Sequence, residues 1–313
     1  MRKKRYIFGD IHGHYDSLVS LLNKLGIGLN ASSVPESIEL IFLGDLIDRG
    51  PDSEKVVSLV KSFVDAGAAR AILGNHEYNF VQLNTETEIG SGIYRRPRSN
   101  KNITEVSETW ASYRHNGKHN TKLFNEHLEW FKSLPIAIST GELQMIHACW
   151  DLQSLAMLER NGEGFYLTPE IWKAAWVRDT PYYEAVEILC KGFEQDLPNG
   201  ITFKDKGGIE RSKTRVAWWN TSPVSWDDYM LSEGADLSEM VGNPPNNDRF
   251  SVDVPTLFGH YWANGAPRLI SPMASCLDFS IAAPKGYLTC YEHHDGDTQL
   301  HKDRLVSVQR LKN

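Results

Sequence analysis

Three apolar runs near the start of the chain each break off at a glycine followed by a polar side chain able to bind a cation. Arg5–Phe8 leads into Gly9-Asp10-Ile11-His12-Gly13, and Ile38–Leu43 leads into Gly44-Asp45-Leu46-Ile47-Asp48-Arg49-Gly50-Pro51. Ala69–Leu73 leads into Gly74-Asn75-His76-Glu77. Between the runs lie two stretches of helical spacing. Leu18, Leu21, Leu22 and Leu25 mark His14–Leu25, and Val56, Leu59, Val60, Phe63 and Val64 mark a helix ending near Gly67. This alternation predicts a parallel α/β sheet. In such a sheet the loops at the carboxyl ends of the strands form the ligand edge.

The second loop is the most crowded. Asp45, Asp48 and Arg49 place two carboxylates and a guanidinium within a few residues of a buried strand end. Asp52 or Ser53 serves as the N-cap of the next helix. Capping does not account for Asp45, Asp48 or Arg49, which need partners from elsewhere in the chain.

Further on, Thr85–Asn120 is polar and irregular, with a basic cluster at Tyr94-Arg-Arg-Pro-Arg98 and a helix around Thr104–Tyr113. Leu123–Phe131 reads as a helix, and Ile136–Ile138 with Leu143–Ile146 as a strand pair turned at Thr140-Gly141 and ending at His147. Residues 151–252 break the sheet rhythm. They hold helical segments near Trp172–Trp176 and Tyr182–Cys190, a turn-rich stretch at Pro198–Gly208 and Asn243–Asn247. This segment is expected to be an α+β insertion packed over the site, within a single domain spanning 1–313. Thr256–Phe258 resumes a strand and delivers Gly259-His260. The remainder reads as short strands: Ile270–Ser271, Ser275–Ser280, Gly286–Tyr291, Gln299–His301 and Leu305–Val308.

Composition narrows the class. A net charge of −7 and a pI near 5.9 argue against a general nucleic-acid or anionic-membrane binder. The four cysteines (Cys149, Cys190, Cys276, Cys290) show no CxxC pair and read as free buried thiols. Basic Met1–Arg5 is followed by too short an apolar run for export, and no run reaches transmembrane length. A cytoplasmic protein is the expectation, and the sequence sets no oligomeric state.

The strand-end residues are Asp10, His12, Asp45, Asn75, His147 and His260. Oxygen and imidazole ligands without thiolate suit Mn²⁺, Fe or Zn²⁺. A carboxylate such as Asp45 can bridge two ions, as in sites that transfer phosphoryl groups. Two cations lower the pKa of a shared water, making hydroxide available near neutral pH for in-line attack, and they neutralise phosphate charge. His76 beside a carboxylate is suited to protonate the leaving oxygen, and Arg49 offers a bidentate fork to phosphate.

GDIHG, GDLIDRG and GNHE in this order and spacing resemble the signature of the PPP-type calcineurin-like metallophosphoesterases. That family includes Ser/Thr protein phosphatases, the bacteriophage lambda phosphatase and diadenosine tetraphosphatases. The resemblance covers residues 5–80 directly, with single-histidine matches at His147 and His260. It implies a four-layer αββα sandwich and two divalent metal ions, Mn²⁺ foremost with Fe or Zn possible. It assigns Asp10 and His12 to the first metal, Asp45 to both, and Asn75, His147 and His260 to the second. His76 would be the general acid, oriented by Asp48, with Arg49 on the phosphate. A second phosphate-gripping arginine is expected among Arg178, Arg211, Arg215 and Arg249, and Arg249, within Asn247-Asp-Arg249, is the position taken here.

The chain departs from the subgroups at His147-Ala-Cys-Trp150, Gly259-His-Tyr-Trp262 and Ser271-Pro-Met-Ala-Ser275. Trp262 stands where the broader superfamily has a second histidine. The leading expectation is a phosphomonoesterase of the protein-phosphatase type, acting on a phosphoprotein or small phosphoester. The alternative is a dinucleoside polyphosphate hydrolase, with Trp172, Trp176, Trp218, Trp219 or Trp226 stacking a base or forming the insertion's own core. His119, His127, His293, His294 and His301 read as surface residues.

Overall fold

The computed structural model describes all residues except 1–2, 198–199, 205–207, 232–236, 238–239, 241, 246, 248, 251 and 312–313. Parts of the turn-rich stretch at 198–208, and Asp248 within Asn247–Arg249, lie outside the described residues. Two six-stranded sheets pack face to face with helices outside them. The first runs Asp278–Phe279, Tyr287–His294, Lys4–Phe8, Ile38–Phe42 and Ala69–Ala71, with Leu305–Gln309 branching onto Tyr287–His294. The second runs Ala274–Cys276, Thr256–Phe258, Gln144–Ile146, Pro135–Ser139, Gly164–Tyr166 and Glu159–Asn161. This is the expected four-layer α/β sandwich.

Strand alternation builds the layers. Ile7 and Ile41 lie side by side in parallel register and point inward, where they meet Ile72, Ile138, Met145 and Leu257 between the sheets. Phe8 and Phe42, next in register, point outward, stack with ring centroids 4.8 Å apart, and pack with Leu18, Leu21, Val60 and Phe63 of the flanking helices. Those helices are Tyr15–Lys24 and Ser53–Asp65, each presenting its apolar stripe to the sheet. The first sheet is mixed, because Tyr287–His294 runs antiparallel beside Lys4–Phe8.

The strand pair Pro135–Ser139 and Gln144–Ile146 forms the expected antiparallel hairpin. Ile270–Ser271 and Gln299–His301 are not strands; the Leu300 N–H instead bonds the Pro272 carbonyl at 2.6 Å. Residues 159–166 form a hairpin that extends the second sheet by pairing with Pro135–Ser139. Helices Pro169–Ala175 and Pro181–Lys191 follow it. Trp172 and Trp218 are buried in the large core, and Trp176, Trp219 and Trp226 pack against it half-buried. His127 and His293 are also buried rather than surface. His127 lies on the inner face of helix Thr121–Ser133 with Nδ1 2.8 Å from the Tyr113 hydroxyl. His293 alternates inward on its strand.

Candidate metal centre

The three strand-end loops interlock through their backbones. The Ile11 and His12 N–H groups both donate to the Asp45 carbonyl, at 3.0 and 2.8 Å. A Cβ on Gly74 would stand 2.3 Å from the Asp45 nitrogen, so only glycine lets the second and third loops touch. Glu77, in the first turn of helix Asn75–Leu83, ties them together. Its carboxylate accepts from Asp45 N (2.9 Å), Leu46 N (2.8 Å), Ile47 N (3.2 Å) and Gly74 N (3.1 Å). Burial and the neighbouring Asp45 push Glu77 up to about 7, against the pull of His76, His147 and the Asp45 N–H. His12, Asp45, Asp48, Arg49, His260 and Trp262 all have left-handed backbone, with φ between 43° and 70°. Such strain persists only where the surroundings over-determine it, and it gathers at functional sites.

Asp45 lies between two groups of imidazoles. Its Oδ2 is 3.8 Å from His12 Nε2 and 3.9 Å from His76 Nε2, while Oδ1 is 3.3 Å from His147 Nε2. His12 Nδ1 is 3.0 Å from the Ile47 carbonyl and His147 Nδ1 is 2.8 Å from the Leu43 carbonyl. Each ring thus anchors its Nδ1 on a carbonyl and turns Nε2 to the centre, the orientation metal-binding histidines adopt. The Asn75 carboxamide sits 3.0 Å from His147 Nε2 and 2.8 Å from His260 Nδ1. Asp10 Oδ2 lies 3.8 Å from His12 Nε2, and both Asp10 oxygens are 3.3 Å from the His260 N–H.

The electrostatics fit cations. Burial, then Asp278, pushes the Asp10 carboxyl well above the usual range, a cost that a bound cation would offset. Burial would also raise Asp45, but His147, His76 and His12 more than reverse it and hold the carboxyl well below that range. Burial pulls His147 down, yet Asp45 and Asp10 raise it to about 10. His260 is held well below its ordinary value by burial, by Arg215 and by His147, so it stays neutral and able to ligate. Six buried oxygen and imidazole donors with no thiolate suit divalent cations.

Beside this cluster, His76 Nδ1 is 2.6 Å from Asp48 Oδ2. Thr109 holds the other Asp48 oxygen through its hydroxyl, and that hydroxyl also accepts from the Asp48 N–H at 2.9 Å. Burial pulls His76 down, but Asp45 and the bond to Asp48 outweigh it and raise its pKa. Arg49 Nη1 is 3.1 Å from His12 Nε2, and its guanidinium lies 4.4 Å from the Trp262 ring centroid.

The fold thus brings Asp10, His12, Asp45, Asp48, Arg49, Asn75, His76, His147 and His260 together. Arg249 is engaged elsewhere. Its fork binds Asp151 with Nε to Oδ1 at 2.9 Å and Nη2 to Oδ2 at 2.7 Å, over the Phe193 ring. Arg215 is the arginine whose charge acts on His260. The basic cluster folds back on the protein: Arg96 pairs with Glu105, and Arg98 covers Tyr94 and Trp110. Four participants escaped sequence reading as site residues: Glu77, Thr109, Asp278 and Trp262. Glu77 sat in plain view at the end of the third motif, and Trp262 at the position where a histidine was missing. Thr109 and Asp278 left no local signal.

The model of the calcineurin-like phosphoesterase family matches residues 4–261. A zinc-dependent endopolyphosphatase of Saccharomyces cerevisiae is 38% identical over 108 residues, 34% of this chain and 30% of that protein. An asymmetrical bis(5'-nucleosyl)-tetraphosphatase of Bacillus velezensis is 27% identical over 172 residues, covering 53% of this chain and 64% of its own. A symmetrical bis(5'-nucleosyl)-tetraphosphatase of Photorhabdus laumondii is 32% identical over 158 residues, 49% and 48% of the two chains. The matched part is thus less than two thirds of each of these curated relatives. A solved protein serine/threonine phosphatase of Saccharomyces cerevisiae shares the fold, with TM-score 0.51 and 14% identity over 99% of this chain and 80% of that one.

Proposed function

This chain belongs to the calcineurin-like phosphoesterase family, and from that premise we propose that it hydrolyses phosphate esters or anhydrides at the Asp45 centre with two divalent cations. The observation that supports this reading is Asp45 itself, with one oxygen toward His12 and His76 and the other toward His147. Asp10, His12 and Asp45 would hold one cation, and Asp45, Asn75, His147 and His260 the other. Bound there, the cations would supply a nucleophilic hydroxide near neutral pH and neutralise phosphate charge. Three oxygen and three imidazole donors without thiolate suit Mn²⁺, Fe or Zn²⁺, and Mn²⁺ is the ion we propose to load first.

The chain's own residues do the rest. Arg49 grips phosphate oxygens from the rim, and Arg215, whose charge reaches His260, is the second arginine available to the phosphate. Asp45 and Asp48 raise the pKa of His76, so the ring keeps a second proton on Nε2 while Nδ1–H is held by Asp48, and it gives the Nε2 proton to the departing oxygen. Glu77 and Thr109 hold the loops in place and touch no substrate. Within 151–252, residues 159–166 extend the second sheet, and Trp218 Nε1 donates to the Ala148 carbonyl beside His147 at 3.0 Å. Both support reading the segment as part of the same domain, with a cap following the hairpin.

Within this chemistry the dinucleoside polyphosphate reading gains over the monoester reading. Two of the relatives are named for bis(5'-nucleosyl)-tetraphosphate and a third for polyphosphate. The test is the Mn²⁺-supported initial rate on diadenosine tetraphosphate beside a phosphoserine peptide at matched concentration, before and after chelation. Preference for the dinucleotide, lost on chelation, is the expected result. Preference for the peptide returns the protein-phosphatase-like reading, and activity indifferent to chelation removes the two-cation site. Among the described residues no helix is long and apolar enough to cross a membrane; a cytoplasmic setting stays a proposal.

A further inference from the structure

We infer that Trp262 is a stacking shelf for a nucleobase, and so a specificity-determining residue of the Asp45 centre. The inference rests on the phosphoester-hydrolase reading and names the substrate group that reading leaves open.

Trp262 follows the candidate ligand His260 by two residues, and its ring meets the Arg49 guanidinium with 4.4 Å from carbon to centroid. Arg49 in turn reaches to 3.1 Å from His12 Nε2. The indole is therefore the next layer outward from the side chains that face the phosphate. It remains 45% exposed, the largest aromatic among the exposed apolar side chains of the described residues. Tryptophans elsewhere behave differently: Trp172 and Trp218 are buried at 5% and 0% exposure.

The backbone keeps this exposed ring in place. Trp262 has φ of 43°, a left-handed conformation unfavourable for a bulky residue. It is stabilised there by the Trp262 N–H donating to Asp278 Oδ2 at 3.0 Å and by the Ala263 N–H on the Asp278 carbonyl at 2.9 Å. Asp278 is buried beside Asp10, so the shelf and the first candidate cation site share one support. A strained residue held at a site mouth with a large planar face points to recognition of a planar partner. A nucleotide suits both groups: its phosphate meets Arg49, and its base, carried past the guanidinium by the ribose, meets the indole. Base stacking on an aromatic side chain is insensitive to which base is offered, so the shelf favours nucleotides as a class.

Calorimetric binding tests this, read from the heat of the first injections and with released phosphate assayed in parallel. The Mn²⁺-loaded full chain is titrated with adenosine 5'-monophosphate and with ribose 5-phosphate, which differ only in the base. The expected result is binding of the nucleotide roughly 5- to 100-fold tighter. Trp262→Leu collapses that ratio towards unity, and Trp262→Tyr keeps most of it. Equal affinities in the unaltered chain, or no binding of either ligand, overturn the inference; that arm needs no variant to fold. Parallel weakening of both ligands in Trp262→Leu also overturns it, leaving Trp262 as a prop for Arg49 alone. Hydrolysis of a small phosphoester, measured separately, reports on the underlying reading, so the two can fail independently.

Discussion

Asp48 and His76 are joined by a 2.6 Å contact between Oδ2 and Nδ1, at a place where both side chains are 1% exposed. The left-handed backbone of Asp48 and the Thr109 hydroxyl aim that carboxylate, so the imidazole has a fixed ring orientation and a fixed proton position. Asp45 and Asp48 raise the pKa of His76 against the pull of burial, which suits a group that must donate a proton.

Replacing His76 by Asn should therefore lower kcat about 10²- to 10⁴-fold on alkyl phosphates and far less on aryl phosphates with acidic leaving groups. The check is a plot of log kcat against leaving-group pKa for both proteins. Parallel lines would remove His76 as the general acid.

Asp45→Asn should release both cations together, since one carboxylate faces both groups of imidazoles. Elemental analysis after gel filtration should fall from about two ions per chain to well below one, with turnover abolished. Retention of one tightly bound ion would show that Asp45 serves a single cation.

Arg249→Ala should act on stability rather than on substrate binding. Asp151 is fully buried and would lose both of its charge-assisted bonds to Arg249, retaining those from Ser154 N and Oγ. The expected cost is about 2 kcal/mol, read as a lower denaturation midpoint, with KM unchanged for the folded fraction. A raised KM at unchanged stability would restore Arg249 to the phosphate site.

Stability should decline on mild acidification through buried neutral histidines. Burial holds His127 at about 4, below its ordinary 6.5, and does the same to His14 and His293. Between those values the unfolded chain binds protons that the folded chain refuses. The stabilisation is therefore complete above about pH 6.5 and drains away as pH falls towards 4. His127→Gln, which can still accept from the Tyr113 hydroxyl, should give a shallower fall of Tm between pH 7 and pH 5. Superimposable slopes would refute the assignment.

The three strand-end motifs were legible because each is local. Apolar run, glycine and polar residue are neighbours along the chain, and the sheet is read from alternating periodicities of a few residues. Residues 5–80 therefore carried the parallel core, Asp10, His12, Asp45 and Asn75 without reference to anything distant, whereas the pairing of Asp48 with His76 was implied only by the family resemblance. Even the termination of later strands at His147 and His260 could be read from apolar runs. The remaining contributors depend on contacts that no local pattern records. Thr109 reaches Asp48 across 61 residues, and Asp278 supports Trp262 from a separate strand. Arg249 looked like a phosphate ligand from its neighbours, but the fold set it against buried Asp151. Trp262 looked like a gap in a motif, and the packing of the last loop turned it onto Arg49. Sequence alone determined the elements and the chemistry carried at their ends, because hydrogen-bonded periodicity and turn stereochemistry act over a few residues. Which distant side chains share a charge, shield it or cover it was decided by the packing of the two sheets, because burial and electrostatics act through space.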